Sequence, residues 1–148
     1  MSEIEEQIIN SIERISDMMR NLLWQTCEPL GLTPTQANIL SLIAKSPKSQ
    51  SNVSSLAERL MVSRPTISDS VKSLQNKGLV VFSQSKKDSR MKIISLSKQG
   101  QELADKILSY TEKFHESVSK IFMSDKATLN ESLSVLTKKL EQDEMLPV

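Results

Sequence analysis

Residues 52–97 read NVSSLAERLMVSRPTISDSVKSLQNKGLVVFSQSKKDSRMKIISLS. Val53, Leu56, Ala57 and Leu60 recur at helical steps, so 52–60 reads as a short amphipathic helix. Met61-Val62-Ser63 leaves room only for a tight connection, and Ser63 suits the N-cap of a second helix running to Lys77. Gly78 supplies the left-handed stop. Leu79-Val80-Val81-Phe82 and Met91 to Leu96 are β-branched or apolar enough for two strands, separated by a polar loop from Ser83 to Arg90. Two short helices on a tight turn, then a basic hairpin, make a helix-turn-helix followed by a wing.

That arrangement suits DNA. The first turns of a helix fit the major groove, where side chains reach base edges. On 64–76, Ile67, Ser70, Val71 and Leu74 fall on one side and should face a core. Pro65, Thr66, Asp69, Lys72, Ser73 and Asn76 fall on the other, a short polar surface able to enter a groove. Any solvated helix face looks similar, so this helix alone does not decide. The loop adds Lys86, Lys87 and Arg90, side chains that meet phosphates or enter a narrow minor groove. Asp88 lies two residues before Arg90, placed to brace the guanidinium and hold it extended. The bland alternative is a surface ion pair worth ~0–1 kcal/mol.

From Gly31 to Gly100 the chain resembles the MarR family of winged-helix transcription regulators. The residues that carry the resemblance are Leu32-Thr33 with Gln36 and Leu40, Leu56-Ala57 with Leu60, and Ser63-Arg64 with Thr66-Ile67-Ser68. Leu74, Lys77-Gly78-Leu79-Val80, Asp88-Ser89-Arg90 and Leu96-Ser97 with Gly100 continue the series. The resemblance implies a homodimer on a palindromic operator, with direction of regulation more often repression. It places the helix from Ser63 in the major groove, through Ser63, Arg64, Pro65, Thr66, Ser68, Asp69, Lys72 and Ser73. The wing residues Lys86, Lys87, Asp88 and Arg90 complete the surface, Arg90 reaching the minor groove. Asp69 departs from the pattern, standing where many relatives carry a basic residue. A carboxylate there repels phosphate but accepts from a cytosine amino group, so it implies either altered base preference or weakened affinity.

The flanks read as long helices. Ile4, Ile8, Ile12, Ile15, Met19 and Leu22 form one stripe over 3–28, which Pro29 and Gly31 break. Thr33 caps a helix with Pro34 in its first position and Gln36 closing a capping box, ending near Ser46-Pro47. Ser97 caps another, with Leu103, Ile107, Tyr110, Phe114, Val118 and Ile121 in line. A last helix follows Ser124, carrying Leu129, Leu133, Leu136 and Leu140. Long stripes of this kind need partners. Either the first and last helices bundle within one chain, or two copies pack them together. The expected fold is mainly α with a small β-hairpin wing. Residues 31–100 would form the DNA-binding part of one compact domain, and 1–30 and 101–148 the dimerisation helices.

Composition narrows the rest. The chain has 148 residues, 38% hydrophobic, with three Gly and five Pro, which favours a helical single domain. Its net charge is only +1, yet residues 51–100 hold nine basic side chains against Glu58, Asp69 and Asp88. That leaves +6 in the middle and −5 in the remainder, either a basic centre that faces a polyanion or a solvated surface with uneven charge. One Cys and one His exclude a disulfide framework and a Cys- or His-rich metal cluster, and no cofactor is expected. The acidic start is unlike a signal peptide and no stretch is apolar enough for a bilayer, so the protein reads as cytoplasmic, away from membranes. No phosphate loop or nucleophile motif supports an enzyme.

Relatives of the MarR type also imply a small lipophilic or aromatic effector, for which Trp24, Tyr110, Phe114 and His115 are either lining residues or ordinary packing. Cys27 invites a redox reading, but Glu28 and a helix C-terminal end both raise a thiol pKa and oppose it. The rival function is a dimeric winged-helix module for protein contacts, with weak or non-specific DNA binding.

Overall fold

The computed structural model describes residues 1–143. The elements run α1 (Glu3–Cys27), a 3-10 turn (Glu28–Leu30), α2 (Pro34–Lys45), α3 (Val53–Leu60), α4 (Arg64–Asn76), β1 (Val80–Gln84), β2 (Lys92–Leu96), α5 (Lys98–Ser119) and α6 (Met123–Gln142). Expected boundaries hold within one or two residues. The first strand starts at Val80 rather than Leu79, and the last helix begins at Met123, before Ser124. No helix among the described residues is long and apolar enough to cross a membrane.

Local chemistry starts and stops the helices. Ser2 and Glu5 form a reciprocal capping box at α1, as Thr33 and Gln36 do at α2 and Asn52 and Ser55 at α3. Gly31 and Gly78 take positive φ, ending the 3-10 turn and the α4 region. The strands pair antiparallel, with Val80 opposite Leu96 and Gln84 opposite Lys92. The outer edge of β2 is not bare, because Ile94 N donates to Ser51 O at 2.9 Å.

The chain forms two compact units, Met1–Tyr110 and the part from Thr111 onward. In the first, α2, α3, α4 and the hairpin enclose one core. Ile39, Leu40, Leu56, Ile67, Val71, Leu74, Val80 and Ile94 are fully or almost fully buried there, with Ala104 and Ile107 from the start of α5. Burying side chains of this size contributes about 1.5–3 kcal/mol each, which holds the helix-turn-helix rigid. In the second unit, Lys126 Nζ donates to Ser119 O at 2.8 Å across the bend between α5 and α6.

One close approach fixes the start of α5 beneath the wing. Ser97 N donates to Leu79 O at 3.0 Å, Ser97 Oγ donates to Gly78 O at 2.6 Å, and Gly100 N donates to Ser97 Oγ at 3.0 Å. A Cβ on Gly100 would collide with Leu79 O. Overpacking against backbone typically costs more than the ~1 kcal/mol of helix propensity that alanine adds. Gly100→Ala is therefore expected to destabilise by roughly 2 kcal/mol, read as a lower melting temperature. An unchanged melt would contradict this packing.

Candidate nucleic-acid interface

The helix-turn-helix turns on Met61, a non-glycine residue at φ 56°. Its N–H reaches the carbonyls of Ala57 and Glu58, and Val62 N donates to Ala57 O at 3.1 Å. This left-handed residue reverses the chain within three positions and sets α4 against α3. Ser63 then caps α4, its Oγ accepting from Thr66 N at 3.3 Å and lying 2.8 Å from Thr66 Oγ1.

On α4 the inward side is as the spacing predicts. Ile67, Val71 and Leu74 are buried and Ser70 is half-buried. Ser63, Arg64, Pro65, Thr66, Asp69 and Lys72 are exposed, so this part of the expected surface is open. Ser68 is half-buried. Ser73 is half-buried too and differs from its expected outward position, because its Oγ accepts from Gln36 Nε2 at 3.0 Å.

Gln36 does more than close a capping box. It is buried, and its Oε1 accepts from Thr33 N at 3.1 Å and from Lys77 Nζ at 3.4 Å. Lys77 also donates to Gly31 O at 2.7 Å. Arg59 Nη1 donates to Ser46 Oγ at 2.8 Å. Two of the nine central cations thus brace the fold, which the charge count alone did not separate from the rest. Arg64, Lys72, Lys86, Lys87 and Arg90 remain exposed with no ion-pair partner among the described residues.

The wing loop is organised by its own polar atoms. Ser85 N donates to Met91 O at 2.9 Å, and Ser85 Oγ accepts from Lys87 N at 3.2 Å and Asp88 N at 3.4 Å. Asp88 does not brace the Arg90 guanidinium. Its Oδ1 accepts from the Arg90 backbone N at 3.0 Å, and no ion pair joins the two side chains among the described residues. Two-residue spacing favours this side-chain turn over a reach to the distant guanidinium. Asp88 therefore shapes the tip, and Arg90 is exposed with no ion-pair partner among the described residues. Between the wing and the start of α3 lies a shallow groove of about 370 Å³, lined in part by Asn52, Ser54, Arg90 and Lys92. Lys92 Nζ sits 5.8 Å above the Phe82 ring, anchoring the base of the hairpin.

The other singled-out residues belong to α1 and α5, not to α4 or the wing. Cys27 is fully buried, and burial pushes its thiol pKa up. We expect thiol reagents to label Cys27 slowly in the folded protein and rapidly in denaturant. Equal rates would contradict its burial. Trp24 is 56% and Tyr110 52% exposed, so neither belongs to the core of the single chain. Phe114 is half-buried and His115 exposed.

Comparison with known proteins agrees with this geometry. Transcriptional regulator ZitR of Lactococcus lactis subsp. cremoris is 25% identical over 139 residues, covering 90% of this chain and 94% of that protein. The S. aureus MepR–DNA complex superposes with a TM-score of 0.75 at 21% identity, covering 88% of this chain and 96% of MepR. CouR from Rhodococcus jostii RHA1, bound to p-coumaroyl-CoA, gives 0.73 at 18% identity, covering 92% and 95%. These likenesses establish the winged-helix architecture. Residues 30–91 match the sequence model of the MarR family, the segment that holds α2, α3, α4 and the wing loop. Over that segment the chain is similar to the MarR family.

Proposed function

We propose that this chain is a homodimeric repressor that binds a palindromic operator and releases it on binding a small lipophilic or aromatic effector. One observation carries the reading: α4 opens an exposed polar face at Arg64, Pro65, Thr66, Asp69 and Lys72, and the same unit carries an exposed basic wing. In this reading α4 enters the major groove, Lys86 and Lys87 meet phosphates, and Arg90 enters the minor groove. Residues 31–100 act as the DNA-binding part, and 1–30 and 101–148 as dimerisation helices in a cytoplasmic protein.

Support for the dimer comes from α1 and α6, each taken alone. Ile4, Ile8, Ile15 and Met19 are exposed along α1, and Leu129, Leu133, Leu136 and Leu140 along α6. Apolar stripes of that length favour a partner surface, and two-fold pairing is the commonest solution. The DNA-bound MepR and ligand-bound CouR relatives support DNA and a small molecule as ligands. An effector releases DNA only by favouring a dimer geometry that fits the operator poorly.

Asp69 favours a second reading, a protein-contact module, because an exposed carboxylate on α4 opposes a polyanion. Titrating a duplex selected from a random pool beside mixed-sequence duplex, each at two salt concentrations, separates the two. Operator binding predicts affinity that falls steeply with salt. A protein-contact module predicts weak binding that does not distinguish the two duplexes.

A further inference from the structure

We infer that Asp69 selects cytosine at one position in each half-site, an inference that rests on the operator-binding reading above. Asp69 is exposed in the second turn of α4, between Thr66 and Pro65 on one side and Lys72 and Ser73 on the other. Its carboxylate has no ion-pair partner among the described residues. Its small neighbours are already engaged: Thr66 Oγ1 lies 2.8 Å from Ser63 Oγ, and Ser73 Oγ accepts from Gln36. They leave the carboxylate free and allow the helix backbone close to base edges, which a side chain with one methylene needs.

A carboxylate only accepts hydrogen bonds. The major groove offers two base donors, the cytosine N4 and adenine N6 amino groups. Adenine N6 stands beside N7, an acceptor that repels a carboxylate, whereas cytosine N4 stands beside a C–H. Guanine and thymine present acceptors there, and phosphates are anionic. Asp69 is thus compatible with cytosine and penalised elsewhere, so it costs general affinity while adding discrimination.

The test is affinity of wild type, Asp69→Ala and Asp69→Asn for a selected operator and for every single-base-pair change in its half-site. Wild type should prefer cytosine at one pair by roughly 10-fold or more per half-site. Asp69→Ala should bring that pair near parity, leave preferences elsewhere intact, and bind non-specific duplex more tightly. Asp69→Asn should shift the same pair toward adenine, which asparagine pairs through N6 and N7. Thermal melting should be unchanged in both variants, since the side chain is exposed. Base preferences that survive Asp69→Ala at every pair overturn this inference alone. If wild type enriches no sequence, the operator-binding reading falls and takes this inference with it.

Discussion

Replacing Lys86, Lys87 and Arg90 together by alanine is expected to lower operator affinity by on the order of 100-fold or more, with the fold intact. The loop hydrogen bonds run through Ser85, Asp88 and backbone groups, and none uses these three side chains. Their removal deletes charge without deleting structure. In a dimer six cations are lost, and each phosphate contact contributes about 0.9 to the slope of log affinity against log salt. The four lysines among them meet phosphate in this reading, so the slope should flatten by about 3.6. Arg90→Ala alone isolates the wing tip, and Asp88→Ala should act indirectly by loosening the loop. Unchanged affinity and slope in the triple variant would contradict a role for the wing and favour the protein-contact reading.

Placing glutamate at Ile8 and Ile15 is expected to abolish the dimer and weaken operator binding by roughly 10²–10⁴-fold, the avidity contributed by a second tethered half-site. Both side chains are exposed on α1 in the single chain, at 51% and 52%. Glutamate is a good helix former, so the monomer should keep its helix content. Within a dimer interface the same carboxylates would be desolvated without partners, at a cost of several kcal/mol. Sedimentation should show the wild type at twice the 16.6 kDa chain mass and the variant at that mass. A wild type that is already monomeric would contradict the assignment of α1.

The parts of this protein written in local chemistry are legible in its sequence. Thr33 and Gln36, Ser63 with Pro65, and Gly78 mark helix ends through neighbours three or four residues away. Hydrophobic spacing likewise placed Ile67, Val71 and Leu74 inward. What escaped that reading depends on partners far apart in sequence. Ser73 lies on the polar side of a helical wheel, yet Gln36 of α2 draws it inward. Lys77 and Arg59 count as free cations until Gly31 and Ser46 are found beside them. Gly100 carries no local signal of its own, because the atom that excludes a side chain there belongs to Leu79. Asp88 differs from these, since its spacing from Arg90 was visible, but two partners compete at that spacing and the backbone N–H is the nearer.

In the proposed reading, two copies of α4 recognise a symmetric operator. Selection of bound duplexes from a random pool tests it most directly. An enriched palindrome is expected, with half-sites about one helical turn apart, roughly 34 Å. A pool that stays random after repeated rounds, under salt conditions where the protein still binds duplex, would contradict it.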